Sequence, residues 1–125
     1  DVLAGPEGLD AEVGPNGSAL SGGQRQRVGI ARALVRGARV LIFDEATSAL
    51  DAANERRIME NLVSGLEGAT LLFVTHRPST LAYVDRVLFL EEGRVAGFDT
   101  HAALKARSAE YRTLFNLPDT ARAAE

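Results

Sequence analysis

No cysteine occurs among the 125 residues, so disulfide scaffolding and thiolate chemistry are excluded. That absence also fits a reducing compartment. There is one lysine, Lys105. A phosphate-cradling loop of the Gly-x-x-x-x-Gly-Lys-Ser/Thr type needs a lysine directly after its second glycine, and Lys105 has no such surroundings, so this sequence holds no P-loop. No apolar run approaches the roughly 20 residues that cross a bilayer. The chain opens on Asp1 with neither a basic stretch nor an apolar core behind it, so no secretory leader is expected, and the missing initiator Met suggests a piece of something longer. Positive charge is not in excess. A formal net charge of -3 gives no electrostatic footprint for nucleic acid, and no nucleic-acid partner is expected. What remains is ordinary: 46% hydrophobic and 25% charged residues suit a globular domain with one core.

Residues 1–20 are rich in Gly, Pro and Asp and read as loop, with a short helical turn near the start. Helical spacing then begins. Ser21 is the expected cap and Gly37 the expected stop, with Val28, Ala31, Leu34 and Val35 on the apolar face. Arg39 to Phe43 is a short apolar run rich in Val, Ile and Phe, which predicts a buried strand ending at the carboxylates of Asp44 and Glu45. Asp51 is placed to cap a second helix over 52–66, with Ile58, Met59, Leu62, Val63 and Leu66 as its stripe. Gly68 marks a turn, and Thr70 to Thr75 predicts a second buried strand. A short helix from Pro78 to Tyr83 follows. Arg86–Leu90 and Arg94–Phe98 flank Glu91-Glu92-Gly93 as an antiparallel hairpin. Thr100 is expected to cap a last helical stretch to about Phe115, and Leu117 to Glu125 reads as a frayed tail. Strand, helix and strand in this order predict a βαβ unit with parallel strands, extended by the hairpin. No internal repeat or low-complexity segment is visible.

Four constellations carry chemistry. Leu20-Ser21-Gly22-Gly23-Gln24 opens a helix with a hydroxyl and two amides that no side chain shields. Such a terminus binds anions, because its N–H groups point outward and the helix dipole adds about half a positive charge. A serine cap preceded by a flexible loop explains the same residues. Asp44 and Glu45 end a buried strand, where open α/β sheets bind ligands. One carboxylate there can hold Mg²⁺ through oxygen, and the next can orient an attacking water. Taken alone, the pair is equally a solvated strand end. His76 follows the second strand and can reach a transferring phosphate, or be a plain surface residue; His101, near a helix start, reads as structural. Ser48-Ala49-Leu50-Asp51 is at least a helix cap.

In order and spacing these pieces resemble the ABC ATPase family, the ATP-binding domains of ABC transporters. Leu20 to Gln24, followed by Arg25-Gln26-Arg27, resembles the family's signature motif. Val40 to Glu45 resembles its Walker B strand with the catalytic glutamate, Ser48 to Asp51 its D-loop, and Thr75-His76-Arg77 its switch-histidine loop. The resemblance runs from about residue 2 to residue 115. Glu12-Val13-Gly14 and Glu45-Ala46-Thr47-Ser48-Ala49-Leu50-Asp51 are similar to exporter wording, whereas Pro15, Asn16, Pro78 and Asp99 depart from common choices outside the chemistry.

The resemblance implies an α/β fold of P-loop NTPase type, represented by its C-terminal half: a parallel βαβ core, an antiparallel hairpin and C-terminal helices. The implied organisation is the end of a helical subdomain with the signature helix over 1–38, the catalytic core half over 39–115 and a tail over 116–125. The implied roles are Asp44 on Mg²⁺, Glu45 polarising water and His76 at the γ-phosphate of ATP. Ser21, Gly22, Gly23, Gln24 and Asp51 would serve nucleotide binding, the signature residues in a partner's site. Implied partners are a second nucleotide-binding domain, the transmembrane domains of a transporter and a P-loop half, at the cytoplasmic face of a membrane. Two alternatives stay open: a docking fragment without hydrolysis, and the ATPase head of a DNA-repair or chromosome-structure protein. The latter carries a long coiled coil between its halves, and no sustained heptads occur here.

Overall fold

The computed structural model describes residues 7–117, and local capping chemistry sets out most of its elements. Ser21 starts helix α1 (Gly22–Val35) with a reciprocal capping box: its hydroxyl accepts from the Gln24 amide at 3.2 Å while the Gln24 side chain accepts from the Ser21 amide at 2.7 Å. The helix stops where Gly37 turns left-handed, at φ +61°, and donates to the Leu34 carbonyl. Strand β1 (Val40–Asp44) follows, then helix α2 (Ala52–Gly65), capped by the Asp51 carboxylate on the amides of Ala53 and Asn54. Strand β2 (Thr70–Val74) pairs with β1 in parallel, with Ile42 opposite Leu72 and Phe43 opposite Phe73. The expected βαβ unit is therefore present.

The chain divides into two compact units, Asp1–Val74 and Thr75–Glu125. The first has its buried residues at Ile30 of α1, Leu41 and Phe43 of β1, Leu50, and Met59 and Leu62 of α2. The Phe43 and Phe73 rings stack at 5.1 Å, and an apolar groove of about 290 Å³ runs between α1 and α2. The N-terminal loop contains two short 3₁₀ turns, Gly8–Asp10 and Pro15–Gly17. Residues 1–6, at the start of the stretch read as loop with a short helical turn, lie outside the described residues.

In the second unit a 3₁₀ helix, Pro78–Tyr83, precedes strands β3 (Val87–Glu91) and β4 (Arg94–Asp99). Glu92 and Gly93, at φ +46° and +73°, make the two-residue turn whose left-handed backbone suits strand twist. The hairpin forms a sheet of its own and does not extend the parallel one. Its buried Phe89 instead packs with Leu104, Tyr111 and Phe115 of the helical segment. Gly97 allows this approach, since a methyl there would stand 2.7 Å from Leu104 Cδ2. The last helical stretch is two helices, α3 (His101–Arg107) and α4 (Ala109–Leu114). Ser108 adopts an extended backbone and caps α4 with its hydroxyl on the Tyr111 amide, so it ends one helix by starting the next. Most of the expected tail, 118–125, lies outside the described residues.

The apolar face expected for α1 is not the buried one. Val35 is 89% exposed and Val28 37%, while Ile30 is buried. On α2 the expected stripe is largely inside: Met59 and Leu62 are buried, Ile58 and Leu66 are half-buried, Val63 is 46% exposed, and Glu55 joins the interior.

Candidate functional site

The N-terminus of α1 and the segment after β1 meet in the first unit. The meeting is close because Gly22 and Gly23 have no side chains. A methyl on Gly23 would lie 3.2 Å from both the Ala49 carbonyl oxygen and Leu50 Cδ2, and one on Gly22 would lie 3.4 Å from the Ala49 methyl. The capping box uses the amides of Ser21 and Gln24, so the amides of Gly22 and Gly23 are the first-turn donors it leaves over. The Ser21 hydroxyl accepts one bond in the box and retains its own proton to donate. Gln24, expected at a nucleotide, spends its side-chain oxygen on the cap. Behind the helix end, the Arg25 guanidinium donates to the carbonyls of Leu20 and Gly17, which ties the preceding loop to α1.

Asp44 ends β1 with an exposed side chain. Glu45 follows in the left-handed region, at φ +47°. For a residue with a Cβ this costs about 1–2 kcal/mol and persists only where the surroundings fix it. Here the Glu45 amide donates to the Val74 carbonyl at 2.9 Å, and the Glu45 carbonyl accepts from the Ser48 amide at 3.1 Å. The backbone thus reverses between β1 and α2, and the half-buried carboxylate leaves the strand line with its Oε2 shielded from solvent. Below the turn, buried Thr47 donates to the Glu55 carboxylate at 3.1 Å.

Sequence reasoning missed a residue that joins these parts. Gln26, half-buried on α1, donates from Nε2 to the Glu45 carbonyl at 3.2 Å and to Ser48 Oγ at 2.8 Å. Its Oε1 accepts from the Ala49 amide at 2.9 Å. In the sequence it stood within the Arg25-Gln26-Arg27 run that follows the signature-like motif, with no role assigned to it. Asp51 sits at the far end of the turn. Hydrogen bonds hold its carboxyl below the ordinary range, first among them the one from the Asn54 amide and then that from the Asn54 side chain. It acts there as a helix cap.

His76 belongs to the second unit, where it is exposed, and Thr75 Oγ1 beside it accepts from the Arg77 amide at 3.0 Å. His101, read as structural, has Nδ1 2.9 Å from the buried Tyr111 hydroxyl, and burial pushes that phenol up. The donor set of the first unit fits a nucleotide with Mg²⁺. An exposed Asp44 carboxylate would supply one hard oxygen ligand, with phosphates and water supplying the others, and the α1 terminus separately offers a hydroxyl and two amides to an anion. Among the described residues no cluster of three His, Cys, Asp or Glu side chains is placed to hold a metal by protein ligands alone.

Comparison with known proteins gives a consistent answer. The family model described as ABC transporter matches residues 3–48. The ABC multidrug transporter MDR1 of Cryptococcus neoformans is 44% identical over 121 residues, which is 97% of this chain and 9% of that protein. The ATP-dependent lipid A-core flippase of Cupriavidus metallidurans is 48% identical over 118 residues, 94% of this chain and 20% of that protein. Among solved structures, a bacterial Atm1-family ABC exporter with ATP bound superposes with a TM-score of 0.86 at 40% identity, covering 99% of this chain and 21% of that one. The chain thus spans a fifth or less of the length of these two relatives. These likenesses agree on one family, and the solved neighbour is an exporter with ATP bound: the chain belongs to the ABC transporter family.

Proposed function

We propose that the chain is the part of an ATP-hydrolysing domain that carries the catalytic carboxylate and the signature motif, and that its parent exports a substrate across a membrane. The observation that carries this reading is the packing of the α1 terminus on the turn that holds Glu45 left-handed. Hydrolysis needs both features, a donor-rich anion site and a carboxylate set off the strand end.

ATP is the substrate. Glu45 would accept hydrogen bonding from the attacking water and draw its proton. Asp44 would hold Mg²⁺, which when bound neutralises phosphate charge. Ser21 and the Gly22 and Gly23 amides would donate to the γ-phosphate of ATP held by a partner domain. His76 would contact the γ-phosphate on this chain's own side, and Asp51 would fix the D-loop. A P-loop half completes the nucleotide site, a second nucleotide-binding domain supplies the facing signature, and transmembrane domains carry the cargo path. The domain works at the cytoplasmic face of the membrane, and among the described residues no helix is long and apolar enough to cross one.

Replacing the Ser21 hydroxyl by a carboxylate tests the signature role. Ser21→Asp keeps the helix cap and sets a negative charge against phosphate. With the chain assembled on a P-loop half, ATP-dependent dimerisation is expected to weaken about tenfold or more, measured by sedimentation. Unchanged dimerisation would remove Ser21 from the nucleotide.

A further inference from the structure

We propose that Gln26 is a positioning residue that couples the α1 terminus to Glu45, so that engagement of one nucleotide sets the carboxylate acting on the other. This rests on the function proposed above. A single amide group makes three bonds across one turn: to the Glu45 carbonyl, to Ser48 Oγ and from the Ala49 amide. A neutral amide supplies two donors and an acceptor in one plane, a combination that a carboxylate or ammonium at the same reach lacks. One of the bonds falls on the carbonyl of the left-handed residue itself. The Gly23 contact with Ala49 and Leu50 presses the helix end onto the same turn. A shift of α1 when Ser21 to Gly23 meet phosphate therefore reaches the Glu45 backbone through hydrogen bonds, in a chain where those residues serve two different nucleotides. Gln26 touches neither nucleotide in this scheme and acts through Glu45.

The test uses the 125-residue chain assembled with a P-loop half, comparing Gln26→Ala and Gln26→Glu with Glu45→Gln as control. Gln26→Glu keeps the acceptor for the Ala49 amide but sets an anion against the Glu45 carbonyl. Small misplacement of a catalytic group costs up to about a hundredfold in rate. Both variants are expected to lower kcat by about tenfold to a hundredfold, with KM for ATP within about twofold and the mixture still folded at the assay temperature. In Gln26→Glu the Ala49 amide should stay protected from hydrogen exchange while kcat falls, a split that a merely structural role does not give. Wild-type kcat in both variants, or a fall in kcat that tracks loss of the fold and of Ala49 protection in both, would overturn the coupling while a dead Glu45→Gln leaves the function standing. Full turnover in Glu45→Gln would instead overturn the function and the coupling with it.

Discussion

Gly23 and Gly29 stand six residues apart on one helix, and their surroundings predict opposite outcomes. At Gly23 a side chain meets the Ala49 carbonyl and Leu50 Cδ2 at 3.2 Å, both held by the turn they belong to. Gly23→Val is therefore expected to destabilise by about 1–3 kcal/mol through overpacking. At Gly29 nothing lies within 4 Å of an added methyl. Gly29→Ala is expected to stabilise α1 by about 0.5–1 kcal/mol, the ordinary gain of Ala over Gly inside a helix. Urea unfolding of the two variants checks both signs, and a destabilising Gly29→Ala would show that the α1 surface is not open there. Thr47 gives a third case. Its hydroxyl donates to Glu55 inside the fold, so Thr47→Val, which keeps the shape and removes the donor, should cost about 1–3 kcal/mol. Thr47→Ser, which keeps the donor, should cost less, and a loss as large as that of Thr47→Val would mean that the methyl matters as much as the bond.

Helix caps were the elements most legible in the sequence. Ser21, Asp51 and Thr100 each cap the helix expected of them, because the bond runs from a side chain to amides two or three residues on and needs no distant partner. Gly37 and the Glu92-Gly93 turn were legible for the same local reason. The α2 stripe was largely legible, with Met59 and Leu62 buried as expected, but the face of α1 was not. Which side of α1 is buried depends on what lies opposite, so Ile30 went unmarked while the exposed Val28 and Val35 were placed inside. The break at Ser108 and the reach of Gln26 over the Glu45 turn likewise depend on tertiary placement. Of the candidate site, the residues proposed to carry chemistry were marked by their resemblance to a family pattern, whereas the bonds that Gln26 makes across the turn were not foreseen. The α2 cap also carries a pH signature. The folded Asp51 carboxyl lies below its unfolded value, so its stabilisation is present above the unfolded pKa and is lost as pH falls through the folded one. Asp51→Asn keeps a good cap without the titration. Wild type should lose stability relative to Asp51→Asn as pH drops below about 4, the ordinary carboxylate range, and parallel acid unfolding of the two would contradict this.

For the whole chain, the parallel sheet has an uncovered side. Val40, Ile42, Leu72 and Val74 are 61%, 65%, 47% and 49% exposed, and Ile42 stands opposite Leu72 in register. Two strands with an open apolar face are not a stable end state in water, and such faces find partners. The chain by itself is expected to associate with rising concentration in light scattering, and Ile42→Lys with Leu72→Lys to reduce this. A monodisperse wild-type monomer with a sharp two-state melt would contradict it. The most direct measurement is ATP turnover by the chain alone and mixed with a P-loop-bearing half, with Glu45→Gln alongside. Turnover in the mixture only, lowered at least a hundredfold by Glu45→Gln as expected for a general base, is the predicted result. No turnover in a mixture that folds and binds ATP, or full turnover in the Glu45→Gln mixture, would contradict the placing of the catalytic carboxylate in this chain.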